Sequence, residues 1–149
     1  MDILTPDLPD NSALWHLHAP GDFLDCFATA SALSAPDAAH VFVAAPNWAL
    51  GLMRLRNLLV RPFGLKPGTA GGENQIGPFP VVSQSGDEVI LGFDDSHLNF
   101  RLSILRQSGL IHAATWVHPH NLAGRVYLAA IMPFHKLILL DAMRRLARA

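Results

Sequence analysis

Cysteine is almost missing from this chain: of 149 residues, only Cys26 carries a thiol. A single thiol excludes an internal disulfide framework. Cys26 is read as a buried, inert side chain rather than a nucleophile. Charge is scarce too. Eleven basic residues stand against twelve acidic ones, and charged residues make up only 15% of the chain. A near-neutral balance excludes nucleic acid as a main partner, because phosphate binding needs a basic footprint. The start, Met1-Asp2-Ile3-Leu4-Thr5-Pro6-Asp7, has no basic segment and no apolar run, so no secretory signal is read there. The longest apolar stretch, Val126 to Leu140, is cut by Pro133, His135 and Lys136. It is read as too short and too interrupted to span a bilayer. A cytoplasmic protein with no membrane contact is expected. The Gly68–Gly72 stretch lacks the Gly-Lys-Ser/Thr ending of a phosphate loop, which argues against nucleotide binding there. No serine sits in a Gly-x-Ser-x-Gly elbow, so a hydrolase triad has no support.

What the chain has in quantity is apolar surface: half of its residues are hydrophobic. At this length one domain is expected, burying roughly two-thirds of its unfolded surface. An internal cavity or a homodimer contact would absorb the apolar excess; a well-filled core would do so equally. Residues 1–21 are read as a loose N-terminal arm, and residues 22–149 as the domain.

The most legible element is Gly92 to Ser103. His97, Asn99, Arg101 and Ser103 alternate with Leu98, Phe100, Leu102 and Ile104, the period of a strand with one face on a core. A first strand is expected within 22–33. Ser34, Pro36 and Asp37 then announce a short helix to about Val43. Trp48, Leu52, Leu55 and Leu59 form one apolar helical stripe ended by Pro62 and Gly64. Strands are expected near 79–84, 87–94, 97–106, 110–118 and 125–132, joined by tight turns. Pro133 is read at the first turn of a last helix that buries Leu137, Leu140 and the surroundings of Met143. Arg144, Arg145 and Arg148 favour its C-terminal end, and Asp141 with Arg145 makes an i, i+4 pair. The class is α+β: a curved antiparallel sheet around a long C-terminal helix, with two short helices after the first strand. This is the helix-grip arrangement, in which a gap between sheet and helix makes a ligand cavity.

An ordered set of residues carries a family resemblance. It comprises Trp48 with Met53-Arg-Leu-Arg-Asn57, Gly64-Leu-Lys66, Asp94-Asp-Ser-His-Leu-Asn-Phe-Arg101, His120-Asn121 with Gly124-Arg125 and Tyr127, and Pro133-Phe-His135. The chain resembles a bacterial domain of unknown function, found alone or fused C-terminally to short-chain-dehydrogenase-like NAD(P)-binding proteins. That family is associated with the START/SRPBCC helix-grip superfamily. The resemblance implies binding of an apolar small molecule; some superfamily members are cyclases or hydroxylase components. The usual pattern has Asp where this chain has Asn99, and an amide cannot serve as a carboxylate base. No dehydrogenase half is read in these residues, so no nicotinamide chemistry and no cofactor is expected to carry over.

The candidate ligand-binding residues are His97, Arg101, Asp95, Trp48, Arg56, Asn57, Tyr127 and His135. His97 and Arg101 with Asp94-Asp95 form either a polar cluster at a cavity mouth or a solvated strand face with an Arg101 ion pair. His118-Pro-His120 would put two histidines on one face, and His16-Leu-His18 repeats the spacing. Neither has a third ligand at a recognisable distance, so no metal is expected. His112 is read as packing. His135 faces either a cavity or a nearby hydrogen-bond partner. Arg56, Asn57, Arg125 and Tyr127 suit a buried tie between helix and sheet as well as they suit ligand anchoring. The leading expectation is a binding domain for a small apolar or amphipathic molecule. One alternative is a cyclase, isomerase or hydrolase using His97 or His135 as general base. Another is a non-catalytic interaction module, partnered by a second copy or by a separate oxidoreductase.

Overall fold

The register of the sheet starts from a two-residue turn. In the computed structural model, which describes residues 3–43, 75–76, 79–94 and 98–148, Ser108 and Gly109 both have positive φ, 56° and 75°. That combination matches the right-handed twist of the strands it joins, β5 (Leu98–Gln107) and β6 (Leu110–Pro119). β1 (Phe23–Ala30) pairs with the far side of β6, and β4 (Glu88–Asp94) with the far side of β5. β3 (Phe79–Gln84) follows β4 with an irregularity between Val81 and Ser83, and the two-residue β2 (Gln75–Ile76) closes the row. All pairings are antiparallel, in the order β1-β6-β5-β4-β3-β2. Leu4 extends the sheet past β1: its N–H donates to the Ala28 carbonyl at 2.7 Å, and Ala28 N–H donates back at 2.9 Å.

α1 (Ala35–Val43) begins where Ser34 predicts, its Oγ accepting from Asp37 N–H at 3.3 Å. The expected second helix, with Trp48, Leu52, Leu55 and Leu59, lies outside the described residues. The expected strand at 125–132 is not formed. That segment is the first part of α2 (Leu122–Arg148), a single 27-residue helix. Asn121 starts it, its Oδ1 accepting from Gly124 N–H at 3.0 Å and its carbonyl from Arg125 N–H at 3.2 Å. Pro133 therefore stands mid-helix rather than at its first turn. The turn around it is tolerable because Ala129 and Ala130 are exposed, so water can reach the carbonyl that the ring leaves unpaired. Unbroken, α2 has a mean hydropathy of 1.5 over its most apolar 18 residues. By length and composition alone it could cross a membrane, contrary to the interrupted stretch read from sequence.

The sheet is covered on both faces. On one, α1 and the second half of α2 bury Ala38, Phe42, Leu139, Met143 and Leu146 against Val89, Leu91, Leu102, Ile104 and Ile111. Leu137, expected to be buried, is 56% exposed; Leu139 takes the inward position instead. Arg145 does more than favour the helix end. It pairs with Asp141 and also donates to the Phe42 carbonyl at 2.9 Å, satisfying a free acceptor at the end of α1. On the other face lies the N-terminal segment, packed rather than loose. Leu8 and Leu14 join Cys26, Ile90, Ala114 and Trp116 in a second apolar cluster. Ser12 starts a 3₁₀ turn, Ala13–His16, and its Oγ donates to Glu88 Oε2 at 2.6 Å, which also receives Ser103 Oγ at 2.6 Å. The polar side of β5, which one reading gave to solvent, is thus covered at Ser103, which has no exposed surface.

Gly92 is required where it stands, opposite Arg101 on β5. Its φ is +148°, and a Cβ there would meet the Phe100 carbonyl oxygen at 2.1 Å.

Candidate functional site

Three pieces of chain meet at one end of the sheet: the start of β1, the end of β6, and the ends of β4 and β5 beside their connection. Phe23 pairs with Val117, Asn99 with His118, and Asp94 with Asn99. Alternation then puts Asn99, Arg101, Trp116 and His118 on the face that the N-terminal segment covers.

Asp22, the residue before β1, is the hub. Its Oδ1 lies 2.5 Å from His118 Nδ1, while Oδ2 accepts from Trp116 Nε1 and from Ala19 N–H, each at 2.9 Å. The Asp22 side chain is 3% exposed; that of His118 is 43% exposed. Burial alone would raise the Asp22 carboxyl. The hydrogen bonds from His118, Ala19 and Trp116 outweigh it and hold the group below its ordinary value. An ionised Asp22 accepts from Nδ1–H, so a neutral His118 ring carries its hydrogen there and leaves Nε2 as the acceptor for a bound molecule.

The neighbouring rings pack in order. Trp116 stacks on His118 at 6.3 Å between centroids, and His118 meets His120 edge to face at 5.4 Å. His120 Nε2 lies 2.9 Å from Asn99 Oδ1 and donates to it. Arg101 donates from one terminal nitrogen to Asp94 Oδ1 at 2.9 Å and to the Phe100 carbonyl at 2.8 Å. Its Nε is buried with no hydrogen-bond partner among the described residues. Together these groups can take up a proton at His118 and offer cationic donors to an oxyanion.

The expected site residues do not all fall here. Arg101 does. Its ion-pair partner is Asp94; Asp95, His97, Trp48, Arg56 and Asn57 lie outside the described residues. Tyr127 is half-buried on α2, not on a strand. His135 faces the opposite side of the sheet. Its Nε2 is 3.2 Å from Asp25 Oδ2, whose other oxygen accepts from Thr115 N–H at 3.1 Å, and its ring meets Phe23 edge to face. It ties α2 to β1. His118 and His120 were weighed only as metal ligands; among the described residues no cluster of three or more His, Cys, Asp or Glu could hold an ion. Asp22 was missed. Its one sequence signal is its place just before a strand that opens beside β6.

Elsewhere the chemistry is quiet. Burial, then the charges of Asp25 and Asp7, push the Cys26 thiol up to about 12, so it stays protonated and unreactive. An open depression of about 290 Å³ lies at the other end of the sheet, between Ile3 and Arg144, Ala147 and Arg148. The family model described as "Protein of unknown function (DUF2867)" matches residues 19–142. No curated protein and no solved structure matches the chain.

Proposed function

The chain belongs to the DUF2867 family, and from that premise we propose that it binds a small molecule with an anionic or polar end at the β1–β6–β5 end of the sheet. Arg101 meets the oxyanion, and His118 accepts a hydrogen bond or a proton through Nε2. The observation that carries this reading is a buried carboxylate, Asp22, set behind a half-exposed imidazole. Unlike His135, whose carboxylate-backed ring is largely buried as a tie between α2 and β1, His118 keeps 43% of its side chain exposed. A group that exchanges a proton with a ligand gains a fixed tautomer and orientation from the carboxylate behind it. Arg101 Nε, which has no partner among the described residues, adds support, since a buried donor without an acceptor costs about 1–3 kcal/mol that a ligand oxygen would recover. The long helix laid across an antiparallel sheet supports a helix-grip architecture, and with it a ligand that also carries an apolar part.

The same geometry favours a second reading, general acid–base catalysis by His118, over one that uses His135, whose ring is spent on Asp25. Thermal-shift screening against a panel of short- and medium-chain carboxylates and phosphate monoesters tests the binding claim. At least one member should raise Tm in the native protein. That shift should disappear in Arg101→Met and shrink in His118→Ala. Equal shifts in all three proteins, or none in the native one, would overturn the proposal.

A further inference from the structure

The first half of α2 presents an apolar surface that no described residue covers. Residues a turn apart return to one side of a helix. Leu122, Val126, Ala130, Pro133, Phe134 and Leu137 are all on the exposed side. Leu122 is 75% exposed, Val126 60%, Leu137 56% and Phe134 48%. Only 17% of the helix's most apolar window is buried. Leaving such a row in water is unfavourable, and a contiguous apolar patch of this kind marks a contact surface.

The charges around it decide what the contact is. Arg125 and Lys136 are exposed along one border of the row, and Arg144 and Arg148 are exposed beyond its C-terminal end. None of the four forms an ion pair among the described residues. The acid of α2, Asp141, is already paired with Arg145. A second copy docked row to row and antiparallel would set Arg125 beside Lys136; docked parallel, it would leave the two cationic borders on opposite sides of the seam, with no free acid of α2 to meet them. An anionic surface complements them. The helix cannot cross a bilayer while its other side stays on the protein, where Leu139, Met143 and Leu146 are buried and His135 is held by Asp25. It can only lie flat.

We propose that this face of α2 is a docking surface for an anionic lipid bilayer, with Leu122, Val126, Phe134 and Leu137 inserted at the headgroup–acyl boundary and Arg125 and Lys136 against the lipid charges. Both contributions are typical of interfacial helices.

Co-sedimentation with phosphatidylglycerol/phosphatidylcholine vesicles, and with phosphatidylcholine vesicles alone, tests this on the full chain. The native protein should pellet with the anionic vesicles and largely stay in solution with the neutral ones. Arg125→Glu/Lys136→Glu should weaken partition by about tenfold or more. Val126→Glu/Leu137→Glu, at positions too exposed to cost much stability, should weaken it similarly while the circular dichroism spectrum is unchanged. The proposal is overturned by failure to bind anionic vesicles, by equal binding to both compositions, or by unchanged partition of the variants. It is also overturned if sedimentation velocity shows a dimer that Val126→Glu/Leu137→Glu separates, since the occupant is then a second copy.

Discussion

Two titratable side chains sit where protonation opposes the fold, and they act in different pH ranges. His112 is buried and pushed below its ordinary value by loss of hydration, only partly offset by a hydrogen bond with the Leu105 backbone. The folded state therefore binds fewer protons than the unfolded chain at this site. The stability it contributes is full well above the ordinary histidine value of about 6.5 and falls as pH drops through it. Asp22 is also held low, so its contribution is present above the unfolded carboxylate value of 3.8 and is lost as pH falls towards the folded one. Urea midpoints followed from pH 8 to pH 3 should fall in two stages. Asp22→Asn should remove the lower stage and cost about 1–3 kcal/mol at pH 7, where the charge is missed. A variant that keeps the full acid sensitivity of the native protein below pH 4 would show that Asp22 does not carry it. Individual residues were only partly legible in the sequence. His118, His120 and Arg101 stood out by type. Asp22 did not, because its partner lies 96 positions away and only the β1–β6 register brings them together.

Elements were read well where a local rule settles them and poorly where it does not. Period-two alternation placed β3 to β6, and Ser34 placed α1, because each pattern has one physical cause. The segment 125–132 is apolar without a clear period, and a proline eight residues into such a run is more often a helix start than a mid-helix residue. Tertiary packing overrode that preference: the second half of α2 is anchored by Leu139, Met143 and Leu146, and Asn121 nucleates the first half. The prediction at this scale is that Pro133→Ala restores the missing backbone hydrogen bond. It should raise stability by up to about 3 kcal/mol, read as a higher urea midpoint with an unchanged slope. A lower midpoint would mean that the proline is needed for the path of the helix.

At the scale of the whole molecule, the N-terminal segment makes the sheet a middle layer rather than an outer wall. Its tie is Glu88, which is 7% exposed and receives Ser12 Oγ, Ser103 Oγ and Ala13 N–H. Composition gave no sign of this. A polar β5 face looks the same whether water or a packed segment covers it, and a buried glutamate is rare enough to be read as exposed. Glu88→Gln keeps the volume but removes the charge that strengthens three hydrogen bonds, and should cost about 1–3 kcal/mol. Limited proteolysis should then cut faster within residues 3–18; an unchanged cleavage rate would show that the segment is held by its apolar contacts alone. Just past that cover, Ala19 N–H donates to Asp22 three residues on, so this turn helps to set the carboxylate of the pair on which the proposed function rests.

That pair is tested most directly by a long-range ¹H–¹⁵N spectrum of the histidine rings near neutral pH, recorded with and without the carboxylate or phosphate that gives the largest thermal shift. His118 should carry its hydrogen on Nδ1, lose that tautomer in Asp22→Asn, and shift at Nε2 when the compound is added. A hydrogen on Nε2 that ignores both the substitution and the compound would contradict the site.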